Sequence, residues 1–127
     1  MADVNRGNRP LSPHAGIYRW PLNAIMSILH RITGVAMTLA AVLVVWWFLA
    51  AATSAEYFAT VDGLMTSWLG DLVLFLSMMA LWYHLANGIR HLIWDTGAGF
   101  GDEKVTRSAL GGMLLAAVLA FVSVIAI

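Results

Sequence analysis

Three apolar runs dominate the chain, at residues 32–52, 72–92 and 109–127. Each has about the 20 residues that a helix needs to cross the hydrocarbon core of a bilayer. With 61% hydrophobic and 11% charged residues, against about 25% charged in soluble domains, a water-exposed globule is excluded. The expected architecture is all-α: an integral membrane protein with three transmembrane helices. It forms a single domain over residues 1–127, with a tail at 1–21 and helices at 22–52, 65–95 and 107–127.

Cysteine is absent, which removes disulfides, thiolate metal sites and cysteine-held iron–sulfur clusters from this chain. Net charge is zero and no basic run points to nucleic acid. The first 22 residues carry Arg6, Arg9, Pro10, Pro13, Arg19 and Pro21, with no short apolar core before a small-residue cleavage site. They read as an extended tail rather than a signal peptide. The serine-rich, strongly basic character of an organelle transit peptide is missing too, so a bacterial cytoplasmic (inner) membrane is the expected location.

Orientation follows from the basic residues. Arg6, Arg9, Arg19 and Arg31 fall on the N-terminal side, and Arg90, Lys104 and Arg107 around the second loop; the first loop has acids and no Lys or Arg. The positive-inside bias then places the N-terminus and second loop in the cytoplasm and the C-terminus outside. Tyr18, Trp20 and Trp94 fit an inner aromatic belt, and Trp46, Trp47 and Trp68 an outer one. Counting from these anchors at 1.5 Å per residue puts His30, Arg31, Arg90 and His91 about 5 Å inside the inner boundary, and His84 about 15 Å deep.

Two ionisable clusters interrupt the apolar spans: Ser27-Ile28-Leu29-His30-Arg31, and Tyr83-His84-Leu85-Ala86-Asn87-Gly88-Ile89-Arg90-His91. Such side chains are costly in hydrocarbon and usually line a site. On the second helix Ser77, His84, Gly88 and His91 form one stripe. Imidazole is a common axial ligand of haem iron, which makes His84 the candidate metal ligand. Gly88 leaves room for a flat macrocycle, and His91, His30 and Arg31 could meet its propionates, Arg being suited to carboxylates by its forked donors. Two axial ligands cannot come from one helix face, so the second must come from another helix; His30 is the one deep candidate within the chain but lies shallow for that role, and a partner subunit is the expected source. A plain helix–helix hydrogen bond is the competing role for His84, and the glycine, the second histidine in register and the basic layer weigh against it. For His30 the structural role and the propionate contact stay open. Arg90 points away from the stripe and is expected to snorkel to the interface.

Ser27 and Arg31 share one face four residues apart. A hydroxyl and a cation there could hold a quinone's carbonyl oxygens, although on composition alone a capping serine and a positive-inside arginine is the plainer reading. In the third helix Ser108, Gly112, Ala116 and Ala120 make a small-residue ridge for close packing. Met78 and Met79 read as packing or lipid-facing residues.

At these residues the chain resembles the cytochrome b membrane-anchor subunits of succinate dehydrogenase. The likeness rests on Arg9-Pro10-Leu11-Ser12-Pro13-His14 with Ile17-Tyr18, on Ser27-Ile28-Leu29-His30-Arg31-Ile32-Thr33-Gly34, and on His84-Leu85-Ala86-Asn87-Gly88-Ile89-Arg90-His91 through Asp95. It spans nearly the whole chain. The resemblance implies that His84 ligates haem b, with the second axial histidine on another hydrophobic anchor subunit. It implies that His30, Arg31 and His91 lie near the propionates, and that Ser27 and Arg31 belong to a ubiquinone site completed by the partner anchor and the iron–sulfur subunit. Electrons would arrive from succinate through a flavoprotein subunit and the iron–sulfur subunit, and the isolated chain would not oxidise succinate. The alternatives are a small proton- or cation-coupled transporter, a non-redox scaffold, and an anchor of fumarate reductase. The nearly featureless outer half of the spans and the lack of an internal repeat speak against the transporter.

Overall fold

The computed structural model describes residues 16–126. Four helices follow one another: α1 (Leu22–Thr53), α2 (Ala55–Met65), α3 (Trp68–Asp95) and α4 (Asp102–Ala126). There is no strand among the described residues. α1, α3 and α4 are each long and apolar enough to cross a membrane. At 1.5 Å per residue, the 32 residues of α1 extend about 48 Å, so its ends overrun a ~30 Å core.

The helix ends follow local chemistry. Pro21, with its fixed φ of −67° and no N–H to leave unsatisfied, stands immediately before α1. Ser54 ends α1 and opens α2, its hydroxyl accepting from the Tyr57 N–H at 3.2 Å, an N-cap that satisfies an orphan donor. Ser67 does the same for α3 through the Gly70 N–H at 3.2 Å. The α2–α3 corner is so tight that a Cβ at Gly70 would land on the Met65 carbonyl, which leaves glycine as the residue that fits there. The turn into α4 runs through Gly97, Gly99 and Gly101, all at positive φ, where side chains other than glycine's are disfavoured.

α2 was not anticipated; the stretch between the expected helices at 22–52 and 65–95 reads as a loop because α2 is short and carries Glu56, Asp62 and Gly63. It folds back on the end of α1. Trp46 Nε1 donates to the Tyr57 hydroxyl at 2.8 Å and Trp47 Nε1 to Asp62 Oδ1 at 3.1 Å. Ala50, Val61 and Met65 form a buried cluster beneath, with Leu43, Trp46 and Trp47 against it. The indoles taken as interface markers are thus also hydrogen-bonded inside the fold.

α3 is the central helix, packed on α1 along one side and on α4 along the other. The α3–α4 seam is made close by Ala86, Ala109, Ala116 and Ala120, all buried, as small residues permit between membrane helices. The ridge expected from Ser108, Gly112, Ala116 and Ala120 is therefore turned slightly, with Ala109 rather than Ser108 buried. Trp82 Nε1 reaches across to Ser123 Oγ at 2.9 Å. Elsewhere the long helices present Leu39, Val42, Phe48, Leu114 and Phe121 on the outside, the surface that a protein dissolved in lipid shows.

Candidate functional site

One end of the α1–α3 seam gathers the histidines. His30 and His84 lie with ring centroids 3.9 Å apart and 17° between their planes. His91, two turns along α3 from His84, stands 5.2 Å from His30 and 5.0 Å edge-on from Trp94. Three of the four sequence-expected cofactor residues are thereby brought into one stack. The fourth, Arg31, is exposed beside it, while Ser27 is half-buried one turn earlier; neither side chain has a partner among the described residues.

The orientation of His84 is set by α1. Its Nδ1 lies 3.1 Å from the main-chain carbonyl of His30 and 3.2 Å from the Thr33 hydroxyl. A carbonyl only accepts, so Nδ1 carries the proton and Nε2 keeps the lone pair. The Thr33 hydroxyl gives its own proton to the carbonyl of Leu29 or His30, at 2.9 and 3.0 Å, and is free to accept from Nδ1. This arrangement, a ring N–H held by a carbonyl, is the one that orients an imidazole for a metal.

Two glycines make the seam narrow enough. A Cβ on Gly34 would come 3.2 Å from His84 Cε1, and one on Gly88 would come 3.9 Å from His30 Cε1. Gly88 was singled out in the sequence for leaving room. Gly34 and Thr33 enter the sequence reading only as part of the family likeness, with no role of their own, although a small residue and a hydroxyl one turn beyond His30 on α1 point to one. His30 Nδ1 is buried with no hydrogen-bond partner, an acceptor or donor left over at the centre of the stack.

Arg90 corrects its sequence reading. It does not snorkel; it is 5% exposed on the α3 flank turned to α4. It donates to Ser108 Oγ at 3.0 Å, Asn87 Oδ1 at 3.1 Å, Asn23 Oδ1 at 2.8 Å and the Val105 carbonyl at 3.0 Å. Its guanidinium also lies 4.2 Å from the Trp94 ring centroid. Asn87, a polar residue in an apolar-looking stretch, is explained as one of its acceptors. Tyr83 was likewise passed over: its hydroxyl donates to the Met26 carbonyl at 2.9 Å, tying α3 to the first turns of α1.

Among the described residues no group of three or more His, Cys, Asp or Glu side chains gathers as a metal-ion site.

Fold and site together define a small multi-pass membrane subunit built around an intramembrane imidazole pair. The chain belongs to the succinate dehydrogenase/fumarate reductase transmembrane subunit family, whose model matches residues 5–125. It is 51% identical over 125 residues to a succinate dehydrogenase cytochrome b556 subunit of Paracoccus denitrificans, covering 96% of each chain. It is 40% identical over 97 residues to the cytochrome b556 subunit of Rickettsia bellii, covering 76% of this chain and 75% of the relative. Against the mitochondrial cytochrome b560 subunit of Sus scrofa it is 37% identical over 112 residues, covering 85% of this chain and 65% of the relative. Family membership sets the transporter and scaffold readings aside.

Proposed function

We propose that this chain is a membrane anchor of a bacterial succinate:quinone oxidoreductase, seated in the inner membrane with its histidine end facing the cytoplasm. There it holds haem b jointly with a second hydrophobic anchor subunit and forms part of the ubiquinone-reduction site. The relatives' names support the succinate-oxidising direction over fumarate reduction. The observation that carries the haem assignment is the bond from His84 Nδ1 to the His30 carbonyl, which leaves Nε2 as the ligating nitrogen.

The residues present fit the group. His84 would supply one ligating nitrogen, glycines 34 and 88 let the two imidazoles pack close between α1 and α3, and the orphaned His30 Nδ1 would gain a partner if a propionate came near. His91 and the exposed Arg31 stand within the same layer for the second propionate. When bound, the haem supplies a one-electron carrier next to the quinone. Ser27 donates to one quinone carbonyl, and Arg31 stabilises the negative charge that grows there on reduction. A second anchor subunit would complete the ligation of the haem, and electrons would come from succinate through flavoprotein and iron–sulfur subunits.

The test is a reduced-minus-oxidised visible spectrum of the intact complex, wild type beside His84→Ala. A low-spin b-type band present in the wild type and lost in the assembled variant is expected. A wild type without the band, or a variant that keeps it unchanged, overturns the assignment.

A further inference from the structure

Arg90 is a cation buried in a helix of spanning length, and each acceptor it reaches is neutral: two asparagine amides, a serine hydroxyl and a carbonyl. Burying a guanidinium without a carboxylate is expensive, and apolar packing holds helices together at lower cost. What this arrangement adds is register. The arm to Asn23 fastens the first turn of α1 to α3, and the arms to Ser108 and Val105 fasten both to the start of α4.

Asn23, Ser27 and His30 are spaced i, i+4, i+7 on α1 and so share one face. Asn23 is bonded to Arg90, and the carbonyl of Met26, next to Ser27, is bonded to Tyr83. Ser27 has no side-chain partner of its own among the described residues. Its position is therefore inherited from the two bonds that flank it.

We infer that Arg90 is a positioning residue for quinone binding: through Asn23 it holds the first turn of α1 so that the Ser27 hydroxyl is presented to the quinone. This rests on the reading of Ser27 and Arg31 as quinone residues. Arg90 acts on the reaction only through α1.

The experiment uses the intact membrane complex with Asn23→Leu, Asn23→Asp and Arg90→Met. It measures KM and kcat for a short-chain ubiquinone analogue, the haem band, and succinate oxidation with a soluble dye that bypasses the quinone site. Asn23→Leu and Arg90→Met are expected to raise KM about fivefold, the factor that losing one ordinary hydrogen bond commands. In both, kcat, haem band and dye activity stay at wild-type levels. Asn23→Asp keeps an acceptor for Arg90 and restores KM. An unchanged KM in Asn23→Leu overturns the inference. So does loss of haem and assembly in that variant, since the bond then serves assembly alone. Should Arg90→Met fail to assemble, the Asn23 pair decides by itself. Failure of the underlying reading looks different: Ser27→Ala would then leave KM unchanged.

Discussion

The imidazoles of His30 and His84 lie face to face at 3.9 Å, and the same two residues are joined a second time through the His30 main-chain carbonyl. The ring of one and the backbone of the other thus fix a single geometry. His84 cannot turn about its Cα–Cβ bond without losing its acceptor, and α1 cannot slide without carrying that acceptor away.

Bulk at Gly34 is expected to remove the haem without removing the protein. A Cβ there already approaches His84 Cε1 to 3.2 Å, tighter than ordinary contact, so Gly34→Leu must displace the imidazole. The b-type band of the purified complex should fall at least about tenfold, while Gly34→Ala, which asks the ring to give only slightly, should retain most of it. An unaltered band in Gly34→Leu would show that His84 is not held at this seam.

Ser27→Ala and Arg31→Leu should cost activity without costing stability. Both side chains lack partners among the described residues, and substitutions at such positions usually stay within about 0.5 kcal/mol. Quinone reduction by the complex should drop at least about tenfold with thermal stability unchanged. A parallel fall in melting temperature would assign the two residues to the fold instead.

Tyr83→Phe should cost stability, and should raise the quinone KM as Asn23→Leu does, because it removes the other bond beside Ser27. The ring stays and the bond to the Met26 carbonyl is lost, which costs about 1 kcal/mol, the net contribution of one ordinary hydrogen bond. The expected result is a melting temperature lowered by a few degrees in the intact complex, with the haem band retained.

At the far end, Asp62→Leu removes the acceptor of Trp47, and Asp62→Asn keeps one. Trp47 lies 17 residues beyond His30 on α1, about 25 Å along the axis. Asp62→Leu should lower stability by about 1 kcal/mol and leave quinone kinetics and haem content as they were. A change in either kinetics or haem would reveal coupling along the length of α1.

The helices and the histidine cluster were legible in the sequence because the bilayer imposes length and apolarity on a span and penalises each ionisable residue within it. His84, His30 and His91 stand out for that reason alone, and the structure does bring them together. Orientation in the membrane is a separate matter, carried by loop arginines rather than by the fold. What stayed hidden depended on contacts across the seam. Thr33 and Gly34 are ordinary residues for a membrane helix until His84 is opposite them. Arg90 lies at the level where arginines usually reach for headgroups, and only the nearness of Asn23, Asn87 and Ser108 turns it inward. α2 was missed because 11 residues with two acids give too weak a pattern; its helix depends on the Ser54 cap and on two indoles arriving from α1.

Between the histidine stack and the acids near α2, the three long helices carry no ionisable side chain: none on α1 beyond Arg31, none on α3 from Leu72 to Trp82, none on α4 after Arg107. That slab works as electrical insulation. A proton at the histidine end meets no ionisable side chain of these helices on the way to Asp62 or Asp71, so charge on this chain is confined to the two ends of the bundle.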